Sequence, residues 1–165
     1  MSKDVLERLK KIDLFNDFKE DEERLKNVSR YMKVEKFSAN EDIIKEGEMG
    51  DKLYVLNKGT VRILKKTLNN EKYTVTLLVS DANIFFGEVA LIDSDKRSAT
   101  VSAETNCEVY SIDRKSFIDL CENDPLMGYK ITFQIAKRIS SSLRKMNTDV
   151  LTLFEALVTE VAGDF

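Results

Sequence analysis

Phe85-Phe86-Gly87-Glu88-Val89-Ala90-Leu91, followed after a short gap by Arg97-Ser98-Ala99-Thr100-Val101, is the stretch on which the reading of this chain turns. Gly87 lets the backbone turn tightly and come close to a ligand. Glu88 to Ile92 can start a short helix whose free N–H groups face a negative charge. Beyond the turn-like Asp93-Ser94-Asp95-Lys96, the Arg97 guanidinium can return over that helix end and hold a phosphate by a paired, charge-assisted contact. Glu88 is then the odd residue, because a carboxylate beside a phosphate is repelled unless it accepts hydrogen bonds from hydroxyls. The neighbouring hydroxyl on a phosphate ligand is that of a ribose. Phosphate together with sugar describes a nucleotide.

Outward from this stretch the apolar period is that of strands, from Val34 to about Ile112. Val61 and Ile63, then Val75, Leu77 and Val79, alternate about Asn69-Asn70, where either a hairpin turn or a longer loop fits. Many short strands punctuated by glycine predict an antiparallel barrel or double-layered roll. Upstream the period is helical: Val5, Leu6, Leu9 and Ile12 recur at helix spacing, as do Leu25, Val28, Tyr31 and Met32, with turn-like Asp13 to Asp17 between them. Glu20-Asp21-Glu22-Glu23 reads as a solvated helix start.

A second block precedes the first: Ile43-Ile44-Lys45-Glu46-Gly47-Glu48-Met49-Gly50, then Leu53-Tyr54-Val55-Leu56 and Gly59. In order and spacing the two blocks resemble the cyclic nucleotide-binding domain, the family of the bacterial catabolite activator protein and of the regulatory subunits of cyclic-AMP-dependent kinase. With their flanks they cover about 9–143. The resemblance implies an α+β fold, an antiparallel β-roll of double-stranded β-helix or jelly-roll type. N-terminal helices (about 1–33) and C-terminal helices (about 114–160, one of them long) flank a roll at about 34–113, in one domain spanning 1–165. It also implies that Glu88 takes the ribose 2′-hydroxyl and Arg97 the cyclic phosphate, while backbone around Gly87, Ala90, Ser98 and Ala99 lines the pocket. The candidate ligand-binding set is Phe86, Gly87, Glu88, Val89, Ala90, Leu91, Arg97, Ser98, Ala99 and Thr100, with cyclic AMP as first ligand and cyclic GMP as second.

Each residue also has a plainer reading. Gly47, Gly50 and Gly59 fit ordinary turns or bulges. Ser98 fits a phosphate or purine contact and a turn cap equally well, and Thr100 fits an ordinary strand position. Gly87, Glu88 and Arg97 taken singly are a strand end, a solvated carboxylate and a surface arginine; two spaced blocks at once argue against that set of coincidences.

Composition narrows the function. The net charge is −3, against a general nucleic-acid surface, and no apolar run approaches the roughly 18 residues that span a bilayer. The start, Met1-Ser2-Lys3-Asp4-Val5-Leu6-Glu7, lacks the uninterrupted apolar core of a secretory signal, so the cytoplasm is expected. Histidine is absent, which removes the commonest general base and the commonest nitrogen metal ligand. Cys107 and Cys121 lack metal-ligand spacing and read as two isolated buried thiols. No catalytic residue, metal or resident cofactor is assigned.

After Asp113, a good N-cap, Phe117, Ile118, Leu120 and Cys121 predict a short helix ending near Asn123-Asp124-Pro125. A longer helix is expected from about Leu126, in which Ile139, Leu143, Met146, Val150, Leu153 and Leu157 alternate four and three apart. That is an a/d seam over nearly three heptads, and one seam needs one partner: a homodimer is expected, the alternative being a helix that packs only on its own β-roll. Thr132, Gln134, Lys137 and Arg138 receive no role. Only about ten residues follow Phe154, too few for a helix-turn-helix reader, so no nucleic acid is expected to bind this chain. The function expected is a non-catalytic cyclic nucleotide sensor that passes occupancy through its C-terminal helix to an effector protein. Competing readings are a dimeric interaction scaffold with an unused pocket, the ligand-binding half of a longer transcription regulator, and an enzyme acting on nucleotide phosphates.

Overall fold

The helical period at the start of the chain gives α1 (Lys3–Leu9) and α2 (Glu22–Arg30) in the computed structural model, which describes residues 3–67, 69 and 71–163. Asp21 caps α2 by accepting from the Arg24 N–H at 3.0 Å, and Glu22 and Glu23 fill the first turn, where the helix field favours carboxylates. Between α1 and α2, Asp13–Phe18 winds into a short 3-10 helix rather than the turn expected from Asp13 to Asp17. Its Leu14, Phe15 and Phe18 are buried, so packing of three large apolar groups overrides the local turn preference.

Eight strands follow among the described residues: β1 (Lys33–Phe37), β2 (Asp42–Ile44), β3 (Lys52–Lys58), β4 (Thr60–Lys66), β5 (Lys72–Val79), β6 (Phe85–Phe86), β7 (Thr100–Ala103) and β8 (Cys107–Asp113). They form two four-stranded antiparallel sheets, ordered β1-β8-β3-β6 and β2-β7-β4-β5, which make the roll. A six-residue helix, α3 (Glu88–Asp93), interrupts them between β6 and β7. The hairpin of β4 and β5 runs in register from Thr60 opposite Val79 to Lys66 opposite Lys72, with a shift between Ile63 and Leu64. Thr67 N–H to the Glu71 carbonyl, 2.9 Å, closes it from inside; of the expected turn pair Asn69-Asn70, Asn70 lies outside the described residues.

Strand β3 carries core on both faces. Tyr54 and Leu56 join Val61, Phe86, Val101 and Val109 inside the roll. Leu53 turns the other way, lining an apolar space with Phe15, Leu91, Ile112, Phe117 and Leu120. A strand buried on both sides reads as an unbroken apolar run, as Leu53-Tyr54-Val55-Leu56 does. Edge strand β5 is the opposite case. Its alternating Val75, Leu77 and Val79 are exposed, while Leu78 packs against the core.

Asp113 caps α4 (Arg114–Asn123) by accepting from the Ser116 N–H at 2.9 Å. That hydrogen bond, together with Lys33 at 3.1 Å, outweighs partial burial and holds the Asp113 carboxyl down to about 2. Helix α5 (Pro125–Gly163) begins at the chain's proline, tolerated because the first helical N–H has no partner in any case. Cys107 is buried in β8 with its Sγ 3.2 Å from the Thr60 carbonyl. Cys121 on α4 is only half-buried, short of the full burial expected of it. The chain divides into two units, one ending at Ile131 and one beginning at Thr132, the second consisting of the remainder of α5.

Candidate functional site

The loop that follows α3 is fixed first through its backbone. Arg97 N–H donates to the Glu48 carbonyl at 2.8 Å, the Gly47 N–H to the Arg97 carbonyl at 2.9 Å, and the Gly50 N–H to the Asp95 carbonyl at 3.3 Å. These bonds clip the two glycine-bearing segments of the sequence together. The Arg97 side chain then crosses Gly50, where an added Cβ would lie 2.0 Å from Nε and 2.4 Å from Cζ. Its guanidinium donates from Nη2 to the Lys52 carbonyl at 2.8 Å and from Nη1 to the Gly87 carbonyl at 3.0 Å. Both acceptors are neutral main-chain oxygens, so these bonds orient the charge without cancelling it. Arg97 is 9% exposed, an unusual place for a guanidinium. Burial lowers its pKa, and the nearby Tyr54, Asp51 and Glu88 oppose that shift.

Gly87 supplies the other wall. Its φ of +83° lies in the left-handed region, and a Cβ there would sit 2.8 Å from Arg97 Nη1, 2.8 Å from the Lys52 carbonyl oxygen and 3.2 Å from Ile44 Cδ1. The position needs glycine both for its backbone angle and for the arginine it accommodates. Gly87 is also the N-cap of α3, which places Glu88 in the helix's first turn, half-buried beside the Arg97 guanidinium. The far end of α3 is held by Arg114, whose Nη1 reaches the Leu91 carbonyl at 2.6 Å and the Ile92 carbonyl at 2.5 Å. Arg114 N–H donates to the Asp51 carbonyl at 2.7 Å, so one residue at the start of α4 grips both segments that meet at Arg97.

The remaining candidate residues divide into groups. Phe86 is buried and stacks on Tyr54 with ring centroids 5.4 Å apart, forming roll interior behind the guanidinium. Ala90 is buried and Val89 exposed, while Leu91 turns away into the apolar space it shares with Leu53 and Phe117. Ser98 is exposed and Ala99 half-buried next to Arg97. Thr100 is buried, and its Oγ1 accepts from the Glu46 N–H at 3.0 Å, an anchor for the Gly47–Gly50 turn. Gly50 and the carbonyl of Lys52 belong to this constellation although the sequence reading gave Gly50 a turn role and Lys52 none. Arg114 was passed over as well; its role rests on tertiary contact with α3 and has no sequence period. A cavity of about 860 Å³ lies elsewhere, lined by residues of both charges including Arg8, Lys36 and Asp81. There Arg8 is spent on the Leu56 and Ser80 carbonyls, each 2.5 Å away, and on Asn83. Among the described residues no cluster of three or more acidic or thiol side chains is arranged to hold a metal, and no helix is long and apolar enough to cross a membrane.

Comparison with known proteins finds relatives of this chain and of its fold. The model of one family, the cyclic nucleotide-binding domain, matches residues 34–124. The chain is 34% identical over 96 residues to the human potassium/sodium hyperpolarization-activated cyclic nucleotide-gated channel 2, covering 58% of this chain and 10% of the channel subunit. It is 32% identical over 114 residues to the cAMP-activated global transcriptional regulator CRP of Haemophilus influenzae, covering 68% of this chain and 50% of the regulator. Among solved structures, a cyclic nucleotide-binding domain from Methylobacillus flagellatus superimposes with a TM-score of 0.76 at 25% identity, covering 90% of this chain and 81% of that one. The chain thus spans about a tenth of the channel subunit and half of the regulator.

Proposed function

The chain belongs to the cyclic nucleotide-binding domain family, and from that premise we propose that it is a non-catalytic receptor for cyclic AMP first and cyclic GMP second. The observation that carries the reading is the buried Arg97 guanidinium, oriented by two main-chain carbonyls and left with its positive charge. A cyclic phosphate meets that charge in a low-dielectric setting, where a charge-assisted pair is stronger than at the surface. Main-chain N–H groups near Gly87, Ala90, Ser98 and Ala99 complete the phosphate's shell, and Glu88 accepts from the ribose 2′-hydroxyl. Phe86, Val89, Leu91 and Thr100 shape and hold the walls. The similarity to a cAMP-activated regulator supports cyclic AMP as the first ligand.

Occupancy reaches the C-terminal helix through contacts already in place. Arg114 ties the α3 carbonyls to α4, and Gly128 of α5 lies so close to α4 that an added Cβ would be 2.7 Å from Cys121 Cβ. A change in α3 is therefore passed on through packed elements rather than absorbed by a loop. The exposed seam of α5 is read as the surface of a homodimer, which relays the signal to an effector protein in the cytoplasm. We take the stretch as one ligand-binding domain that itself reads no nucleic acid.

Calorimetric titration with cyclic AMP, cyclic GMP and a cyclic dinucleotide tests the reading. One site per chain is expected, tightest for cyclic AMP, and Glu88→Gln should narrow the gap between cyclic AMP and its 2′-deoxy analogue. No heat with either cyclic mononucleotide rejects the receptor reading.

A further inference from the structure

Strand β6 is only two residues long, Phe85–Phe86, so few ladder bonds fix its place and what grips its two ends decides where it lies. At one end Gly87 follows, its carbonyl accepting from Arg97 Nη1. At the other end a second arginine takes hold. The half-buried guanidinium of Arg8, on α1, donates from Nη2 to the Leu56 and Ser80 carbonyls at 2.5 Å each and from Nη1 to Asn83 Oδ1 at 3.1 Å. All three acceptors are neutral, and hydrogen bonds from a charged donor are stronger than neutral pairs.

These contacts fall where the chain turns. Ser80–Ala82 is a single 3-10 turn, closed by the Asn83 N–H on the Ser80 carbonyl at 3.0 Å. Asn83 then takes the left-handed conformation, φ +56°, uncommon for a residue with a Cβ. Leu56, whose carbonyl accepts from Arg8, gives its own N–H to the Ile84 carbonyl at 3.0 Å. Arg8 therefore ties β3, the turn and the Asn83 side chain into one joint immediately before β6. Helix α1 does not need these bonds to stay docked, because Val5 and Leu9 are 4% and 0% exposed.

We infer that Arg8 is a positioning residue for the nucleotide site, holding the 80–83 turn against β3 so that β6 delivers Gly87 to the right place; this rests on the receptor reading. Four residues carry the chain from Asn83 to Gly87, at most about 14 Å. Two of them lie in register on β3, Phe85 opposite Val55 and Phe86 opposite Tyr54, so a shift at the turn finds little slack. It reaches the Gly87 carbonyl, which aims the Arg97 guanidinium, and the Gly87 cap, which places Glu88. A binding group held more loosely than about 0.5 Å loses affinity. Arg8 acts through Gly87 and touches no ligand.

Arg8→Met keeps the apolar stem and removes the donors, and two measurements on the full chain, well below its melting temperature, separate positioning from stability. Hydrogen exchange of the Asn83 amide without nucleotide should quicken about tenfold or more. Calorimetric titration should show about fivefold weaker cyclic AMP binding. Arg8→Lys, which brings one ammonium to three acceptors, should fall between Arg8→Met and wild type in both. Leu25→Ala, which truncates a fully buried side chain of α2, should lower the melting temperature at least as much and leave both readouts within about twofold of wild type. Affinity unchanged in Arg8→Met, or falling in step with melting temperature across all three variants, overturns the positioning role. Should Arg8→Met fail to fold, Arg8→Lys against Leu25→Ala decides by the same comparison. Unaltered Asn83 exchange with cyclic AMP still bound by wild type rejects the Arg8 role alone. No heat in the wild type rejects the receptor reading and the positioning role with it.

Discussion

Leu120 and Leu153 are the same side chain in the same kind of element, yet one is 0% and the other 70% exposed. The difference separates two regions with different requirements. Around Leu120 the unit ending at Ile131 closes its own core: Phe15, Leu53, Leu91 and Phe117 meet across one apolar space. In the unit beginning at Thr132 an equally apolar helix face finds no cover within its own residues. Burial in the first region reports folding, whereas the exposed pattern in the second is what the proposed self-association rests on.

The sharpest way to break that contrast is to truncate both leucines. Leu120→Ala should cost about 2–5 kcal/mol of stability in a denaturant melt, from lost transfer energy and the cavity left behind. Leu153→Ala should leave the melt of the first unit within about 0.5 kcal/mol and instead weaken self-association seen by sedimentation. Equal losses of stability would mean that the exposed helix is part of the folding core after all.

Gly50→Ala sharpens the same contrast inside the first region, since it should affect binding more than folding. The new Cβ collides with the Arg97 side chain and displaces the guanidinium from the Lys52 and Gly87 carbonyls. Cyclic AMP affinity should fall about tenfold, roughly 1.4 kcal/mol. Unchanged affinity would show that the arginine's path across Gly50 is irrelevant to the ligand.

The smallest effect concerns acid. Asp113 has its pKa depressed to about 2 in the folded chain from an ordinary value of 3.8. Its contribution is therefore complete above pH 4 and is lost as pH falls from about 4 to about 2. Allowing for solvent screening, that contribution is about 1 kcal/mol, in line with the worth of an N-cap. Asp113→Asn should be less stable than the parent at neutral pH, and the two should converge near pH 2. A constant gap across that range would remove the carboxylate's charge from the account.

How far the sequence could be read follows from where each signal resides. Periodicity marked the helical and strand regions, and residue type marked the cap Asp113, because those depend on neighbours within a few residues; Asp21 was legible only as part of a solvated helix start, not as its cap. Gly87, Glu88 and Arg97 stood out through residue types that a phosphate and a sugar require, and the fold brings Gly87 and Arg97 into contact while leaving Glu88 beside them. Gly50 was read as a turn because its reason lies 47 positions downstream, in the side chain that crosses it. Lys52 contributes a carbonyl, which every residue owns, so its type carried no signal. The 3-10 helix at Asp13–Phe18 was missed for a related reason: its buried Leu14, Phe15 and Phe18 answer to tertiary packing, not to the turn-like residues around them.

The central claim is that one buried guanidinium makes this roll a receptor, and Lys96 beside it is the natural control. Lys96 is exposed and its neighbour Arg97 is buried, although both are basic residues of one short loop. Calorimetric titration of cyclic AMP into wild type, Lys96→Ala and Arg97→Ala, each verified folded by its thermal melt, compares them directly. Lys96→Ala should bind within about twofold of wild type, as a surface change worth no more than about 0.5 kcal/mol. Arg97→Ala should lose roughly 2–5 kcal/mol, about 30-fold or more in affinity. Equal affinity of wild type and Arg97→Ala would contradict the claim.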